Sequence, residues 1–167
     1  GNPMMQTTSA KFWLNTIVKY ADDYDKDAVL MESTNTRIGL QKLLDDKKLE
    51  GYNKLLLLPG IYRIDHGLPI YIPTEFILDM NGATLKQNQF TGNSSLMISL
   101  DATFDSHVIN GNIEGDYFSH DYANSSNNSE WCMGISIAGP CKYSSFENIT
   151  IKNITGYGGS NGISQKS

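Results

Sequence analysis

Short pieces of this sequence return at a nearly constant spacing, and that recurrence restricts the fold more than any other feature. Asn81-Gly82 returns as Asn110-Gly111, and each copy follows an apolar run, Phe76-Ile77-Leu78 and then Val108-Ile109. A second series passes through Ile98, Ile135 and Ile163, each followed by a serine (Ser99, Ser136, Ser164). The step from Ile135 to Ile163 matches the Asn-Gly spacing to within one position. The step from Ile98 to Ile135 is longer and holds a polar, Asn- and Ser-rich stretch, residues 116–130, that reads as an insertion. Periods of roughly 20 to 50 residues belong to stacked architectures, in which one turn cannot bury its apolar face alone and does so against its neighbours.

The local pattern agrees. From residue 53 onward, β-prone runs at residues 54–58, 62–64, 69–72, 76–80, 83–86 and 96–100 are interrupted by Pro59-Gly60, His66-Gly67, Pro73-Thr74 and Asn81-Gly82. Apolar runs between turn residues read as short strands. Asn81-Gly82 is also a hairpin signal that would lead to a β-sandwich; the recurrence argues for stacking instead. Alternation in Ile149-Thr150-Ile151-Lys152 places the two isoleucines on one face. The expected core is Ile77, Ile98, Ile135, Ile137, Ile149, Ile151 and at least two of Leu55, Leu56, Leu57 and Leu58, with residues 116–130 as an exposed excursion. Two helices come first. Trp13, Ile17, Tyr20, Ala21 and Tyr24 share one helical face, and Thr36 opens a second helix over residues 37–46 with Leu40, Leu43 and Leu44 as its stripe and Gly51 as its stop.

Composition excludes some functions. A chain of 167 residues with 40% hydrophobic and 19% charged residues buries a core as one domain. Its net charge is −5 and its 13 Lys and Arg are scattered, so no basic stripe marks a nucleic-acid partner. No apolar run approaches the roughly 20 residues of a membrane-spanning helix, and no membrane partner is expected. The amino end lacks the basic start and apolar stretch of a signal peptide. Cys132 and Cys141 cannot make a disulfide framework and read as unbridged or buried thiols, a local bridge being the alternative.

The chain resembles the pectate-lyase-like proteins of the right-handed parallel β-helix superfamily, a group that includes phage tail spikes. Arg37-Ile38-Gly39-Leu40-Gln41-Lys42-Leu43-Leu44 is similar to the short helix that plugs the amino end of those folds, and Leu55-Leu56-Leu57-Leu58-Pro59-Gly60-Ile61-Tyr62-Arg63-Ile64 to their strand, Pro-Gly turn and Tyr-x-Ile strand. Leu68-Pro69-Ile70-Tyr71-Ile72-Pro73 and Leu78-Asp79-Met80-Asn81-Gly82-Ala83-Thr84-Leu85 resemble the next two steps, while the usual Asp-Asp-Thr opening reads Ser33-Thr34-Asn35-Thr36 here. The resemblance implies a mostly-β, right-handed parallel β-helix with an α-helical cap: residues 1–35 a helical attachment segment, 36–50 the capping helix, 51–167 the first coils. Because the sequence stops midway through what reads as a coil, the expectation is the amino-terminal part of a longer chain.

For chemistry, glycan hydrolysis uses two carboxyl groups flanking the bond. The candidates are Glu114 and Asp116, which share a face if their segment stays extended, with His120, Asp121 and Glu130 nearby. Lyase chemistry wants a cation beside the base, and the insertion contains no Lys or Arg. His107, Asp116, His120 and Asp121 have no recognised metal-ligand spacing, so neither metal nor cofactor is expected. Tyr117, Tyr122 and Trp131, with Phe118, offer flat rings for sugar faces. Three functions stay open. The first, implied by the resemblance, is a phage or prophage tail spike or tail fibre that recognises, and in one version degrades, bacterial surface polysaccharide. It would be a homotrimer at full length and meet other virion tail proteins through residues 1–35. The second is a secreted polysaccharide lyase or glycoside hydrolase. The third is a non-catalytic structural or adhesive β-helix.

Overall fold

The computed structural model of the protein describes residues 36–89, 94–124, 131–156 and the backbone of 163–165. The helix expected around Trp13 and the attachment segment, residues 1–35, lie outside the described residues. The described residues are mostly β, with one helix among them, α1 (Arg37–Leu49), followed by β1 (Lys54–Leu56), β2 (Ile61–Ile64), β3 (Ile70–Tyr71), β4 (Phe76–Asp79), β5 (Thr84–Gln87), β6 (Ser94–Asp101), β7 (Ser106–Glu114), β8 (Trp131–Ala138), β9 (Ser145–Lys152) and β10 (Ile163–Gln165).

Every pairing among the described strands is parallel. That removes the hairpin and the β-sandwich, because a two-residue turn joins only antiparallel strands. The strands form three columns that the chain visits in a fixed order: β1, β4 and the first halves of β7 and β9; then β2, β5 and the second halves; then β3, β6, β8 and β10. The first two columns make one six-stranded sheet and the third a four-stranded sheet. The partners most widely separated in sequence, β6 with β8 and β7 with β9, are those whose interval contains the insertion. The predicted isoleucine series is stacked in register, Ile70 on Ile98 on Ile135 on Ile163, and the serine series follows it.

Sharp bends keep the columns aligned. Asn81, Asn110 and Asn148 all take left-handed φ values of 50° to 60°, a region that asparagine tolerates better than most residues. Their side chains link the layers: Asn148 Nδ2 donates to Asn110 Oδ1 at 2.9 Å and Asn81 Nδ2 to the Leu57 carbonyl at 3.1 Å. The recurrent Asn-Gly pairs are therefore bends in a stack. Gly111 fits because Met80 lies so close that an added Cβ would sit 2.4 Å from its side chain.

The core runs between the sheets and under α1, with Leu40, Leu43, Leu44, Leu55, Leu57, Tyr62, Leu78, Leu85, Ile98, Val108, Ile113 and Ile135 buried. Ile77 is corrected: it is half-buried, and its neighbours Phe76 and Leu78 point inward. Ile137, Ile149 and Ile151 are also partly buried, packed against the core. β9 has only β7 as a neighbour among the described strands, so its isoleucines are covered from one side. Neither cysteine is part of a disulfide.

The helix ends at Gly51 in a Schellman arrangement, with Gly51 N–H donating to Lys48 O and Tyr52 N–H to Lys47 O, each at 3.0 Å. Its start is the expected one, with Thr36 at the cap position before Arg37. Thr36 makes no side-chain cap; its N–H and hydroxyl both donate to the Arg63 carbonyl. Arg37 donates to the Asp65 carbonyl, and the Gln41 amide both accepts the Tyr71 N–H (2.7 Å) and donates to the Tyr71 carbonyl (3.0 Å). Thr36, just ahead of α1, and Gln41 within it thus occupy hydrogen-bonding positions at the edges of β2 and β3.

Candidate functional site

Four of the predicted site residues, Glu114, Asp116, Tyr117 and Tyr122, lie where β7 ends and the insertion begins. β7 stops at Glu114, and Gly115 passes so close to the next layer that a Cβ there would lie 2.4 Å from the Asn153 carbonyl oxygen. Only glycine fits that approach, and it carries Asp116 inward. Asp116 is 3% exposed. Its Oδ1 accepts from Thr155 Oγ1 at 2.6 Å, and its Oδ2 pairs with His120 Nδ1 at 2.8 Å. Its carbonyl accepts the N–H groups of Ser119 and His120, which closes a tight turn. Among the described residues of the expected excursion, 117–119 and 122–124 are exposed, while Asp116 and His120 are buried and fasten the loop to the body. Residues 125–130, including Glu130, lie outside the described residues.

Glu114 and Asp116 do not share a face, since the extended backbone their spacing required ends at Glu114. Glu114 points outward into a cross-strand row, 3.8 Å from Lys86 and 4.0 Å from Lys152, and accepts from Asn153 Nδ2 at 3.2 Å. Those two lysines come from the registers Lys86 to Glu114 to Lys152 on β5, β7 and β9. Reading the insertion alone missed them; aligning the recurrent strands would have found them. The hydroxyl of Thr155, far along the chain from Asp116, was equally invisible locally.

On the solvent side of this anchor three rings gather. Tyr117, Phe118 and Tyr122 are 50%, 83% and 54% exposed. Tyr117 meets Phe118 edge to face at 5.1 Å between centroids and Tyr122 at 6.4 Å, and Tyr122 lies 4.8 Å from the His120 ring. The Tyr122 hydroxyl donates to the Tyr117 carbonyl at 3.0 Å, so the loop is tied internally. Desolvation, followed by the nearby Tyr117 and Asp116, raises the Tyr122 phenol above its ordinary pKa, opposed by a hydrogen bond with Thr155. Trp131 opens β8, but its side chain lies outside the described residues. Two of the three predicted sugar-binding rings are thus brought together.

Among the described residues no three His, Cys, Asp or Glu side chains gather as a metal ion would require. His107 sits at the start of β7, paired with Asp105 and Ser145, while Asp116 and His120 pair beyond its end. A groove of about 490 Å³ beside α1, lined by Ile38, Gln41, Lys42, Leu68 and Tyr71 among others, includes none of the predicted site residues. Compared with known proteins, the chain matches no family model, no curated protein and no solved structure.

Proposed function

We propose that this chain forms coils of a right-handed parallel β-helix of the pectate-lyase-like type, carried by a phage or prophage tail spike or tail fibre. In this reading the loop after β7 binds a bacterial surface polysaccharide. The observation that carries the binding proposal is the exposed trio Tyr117, Phe118 and Tyr122 on a loop anchored by the buried Asp116, His120 and Thr155. Rings pre-positioned on a rigid base stack on sugar faces at little cost in ordering. Parallel pairing of all the described strands, three columns and an edge-covering helix support the fold reading.

The geometry favours recognition over cleavage at this loop. Asp116 is sequestered and Glu114 is flanked by lysines, so the pair does not flank a bond as hydrolysis requires. Full-length trimerisation and contact of residues 1–35 with virion proteins are part of the same proposal, and light scattering on the complete protein tests the first. The loop is tested by titrating wall and capsular polysaccharides from candidate hosts. Tyr117→Ala with Tyr122→Ala should weaken binding at least about tenfold while the melting profile stays put. Equal binding by parent and double variant, or no glycan bound by the parent, would reject the reading.

A further inference from the structure

A second cluster, at the opposite end of β7, joins residues that no local motif connects. His107 and Ser145 are direct cross-strand partners on β7 and β9, and His107 Nδ1 lies 2.7 Å from Ser145 Oγ. The other ring nitrogen, Nε2, lies 2.7 Å from Asp105 Oδ1. Asp105 is held at a left-handed φ of 52° by its N–H bond to the Lys142 carbonyl at 2.9 Å. The His107 side chain is 25% exposed, so the row is open to solvent. Beside it, Phe104 and Tyr143 form an exposed edge-to-face pair at 5.4 Å.

We propose that Asp105, His107 and Ser145 form a nucleophilic site for carboxylic esters. A hydroxyl becomes a competent nucleophile when a base within hydrogen-bond reach takes its proton and a third group orients that base. With the ring proton on Nε2, shared with Asp105, Nδ1 is left as the acceptor facing Ser145. Ser145 Oγ attacks the carbonyl carbon as its proton passes to Nδ1. The bond to the alcohol oxygen then breaks, and His107 returns the proton to that leaving oxygen. A water molecule next gives a proton to His107 while its oxygen attacks the acyl carbon. The Oγ–carbon bond breaks, Ser145 recovers its proton, and the carboxylic acid departs. Phe104 and Tyr143 supply an apolar shelf for the alcohol portion. The ladder register fixes nucleophile and base on strands rather than on a loop, the kind of placement that preserves reactive geometry. Asp105 is a positioning residue, acting through the imidazole.

This inference rests on the cluster alone and not on the carbohydrate reading, and its test uses a reagent without sugar. The full chain is treated with a fluorophosphonate probe, modified peptides are sequenced by mass spectrometry, and p-nitrophenyl acetate turnover is followed in parallel. The expected result is phosphonylation of Ser145, absent in Ser145→Ala, slowed about 100-fold or more in His107→Gln and slowed less in Asp105→Asn. Melting curves accompany each variant; should a histidine variant unfold early, the labelling site in the unaltered protein decides alone. Labelling of Ser145 no faster than of Ser144 next to it, or labelling of a folded His107→Gln at the parent rate, would show that the three groups merely satisfy one another's hydrogen bonds.

Discussion

Asp116 shows how one residue can read as chemistry and serve as architecture. Its two oxygens accept from Thr155 and pair with His120 in a nearly dry setting, where a lost acceptor costs about 1 to 3 kcal/mol. Asp116→Ala should lower stability by that amount, measured from urea midpoints, and Asp116→Asn, which retains an acceptor for Thr155, should lower it less; equal midpoints for parent and alanine variant would reject the anchor. Tyr62 supplies a pH test. Its phenol is fully buried, donates to the Leu58 carbonyl at 2.8 Å, and is pushed up from 10.0 to about 12 chiefly by desolvation. Between those values the folded chain keeps a proton that the unfolded chain has released, so this contribution is whole below pH 10 and lost as pH rises through about 12. Arg37, pulled down to about 10 by burial, works in the opposite direction above that pH, and is common to parent and Tyr62→Phe. Their difference therefore isolates the phenol: Tyr62→Phe should be spared about 2 to 3 kcal/mol of the parent's alkaline loss, read from denaturation at about pH 9 and about pH 12.

At the scale of elements, legibility depended on whether a signal was periodic or merely apolar. Ile98, Ile135 and Ile163 were readable because each recurs with its serine, and the structure stacks them. Ile77 was misplaced by one position because Phe76-Ile77-Leu78 is apolar on both faces and offers no alternation from which to take the register. The aromatic part of the site was legible from crowding in sequence, whereas Thr155, Lys86 and Lys152 reach it only through pairing between distant strands. Burial differences along the stack give a graded prediction. Ile135→Ala, at a position without exposed surface, should cost about 2 to 5 kcal/mol, and Ile151→Ala, packed from one side, distinctly less. Thermal or urea denaturation giving equal losses would mean that β9 is as enclosed as β8. The helix supplies another test. Gln41 mimics a strand by engaging both backbone groups of Tyr71, so Gln41→Ala should cost about 1 kcal/mol and free that edge, visible as self-association in sedimentation velocity. A monodisperse, equally stable variant would assign the edge protection to other contacts.

Across the whole molecule, pairing joins strands from successive layers, with no antiparallel hairpin among the described strands. Among the described strands each gains its partners from neighbouring layers, so stability should vary with position in the stack instead of being shared evenly. β7 is the most enclosed element of its sheet, bonded to β4 and β5 on one side and to β9 on the other. Val108 and Ile113 on β7 are fully buried, while Ile149 and Ile151 on β9 are not. Among the described strands, opening β9 exposes a half-covered layer and breaks one ladder, whereas opening β7 breaks three. Native-state hydrogen exchange should therefore find the β7 amides near Val108 and Ile113 opening only with global unfolding and the β9 amides near Ile149 and Ile151 opening at a lower free energy. Low concentrations of urea should leave that order intact. If both strands exchange with one free energy and one denaturant dependence, the six-stranded sheet opens as a single cooperative unit and layer-by-layer stability is wrong for this protein.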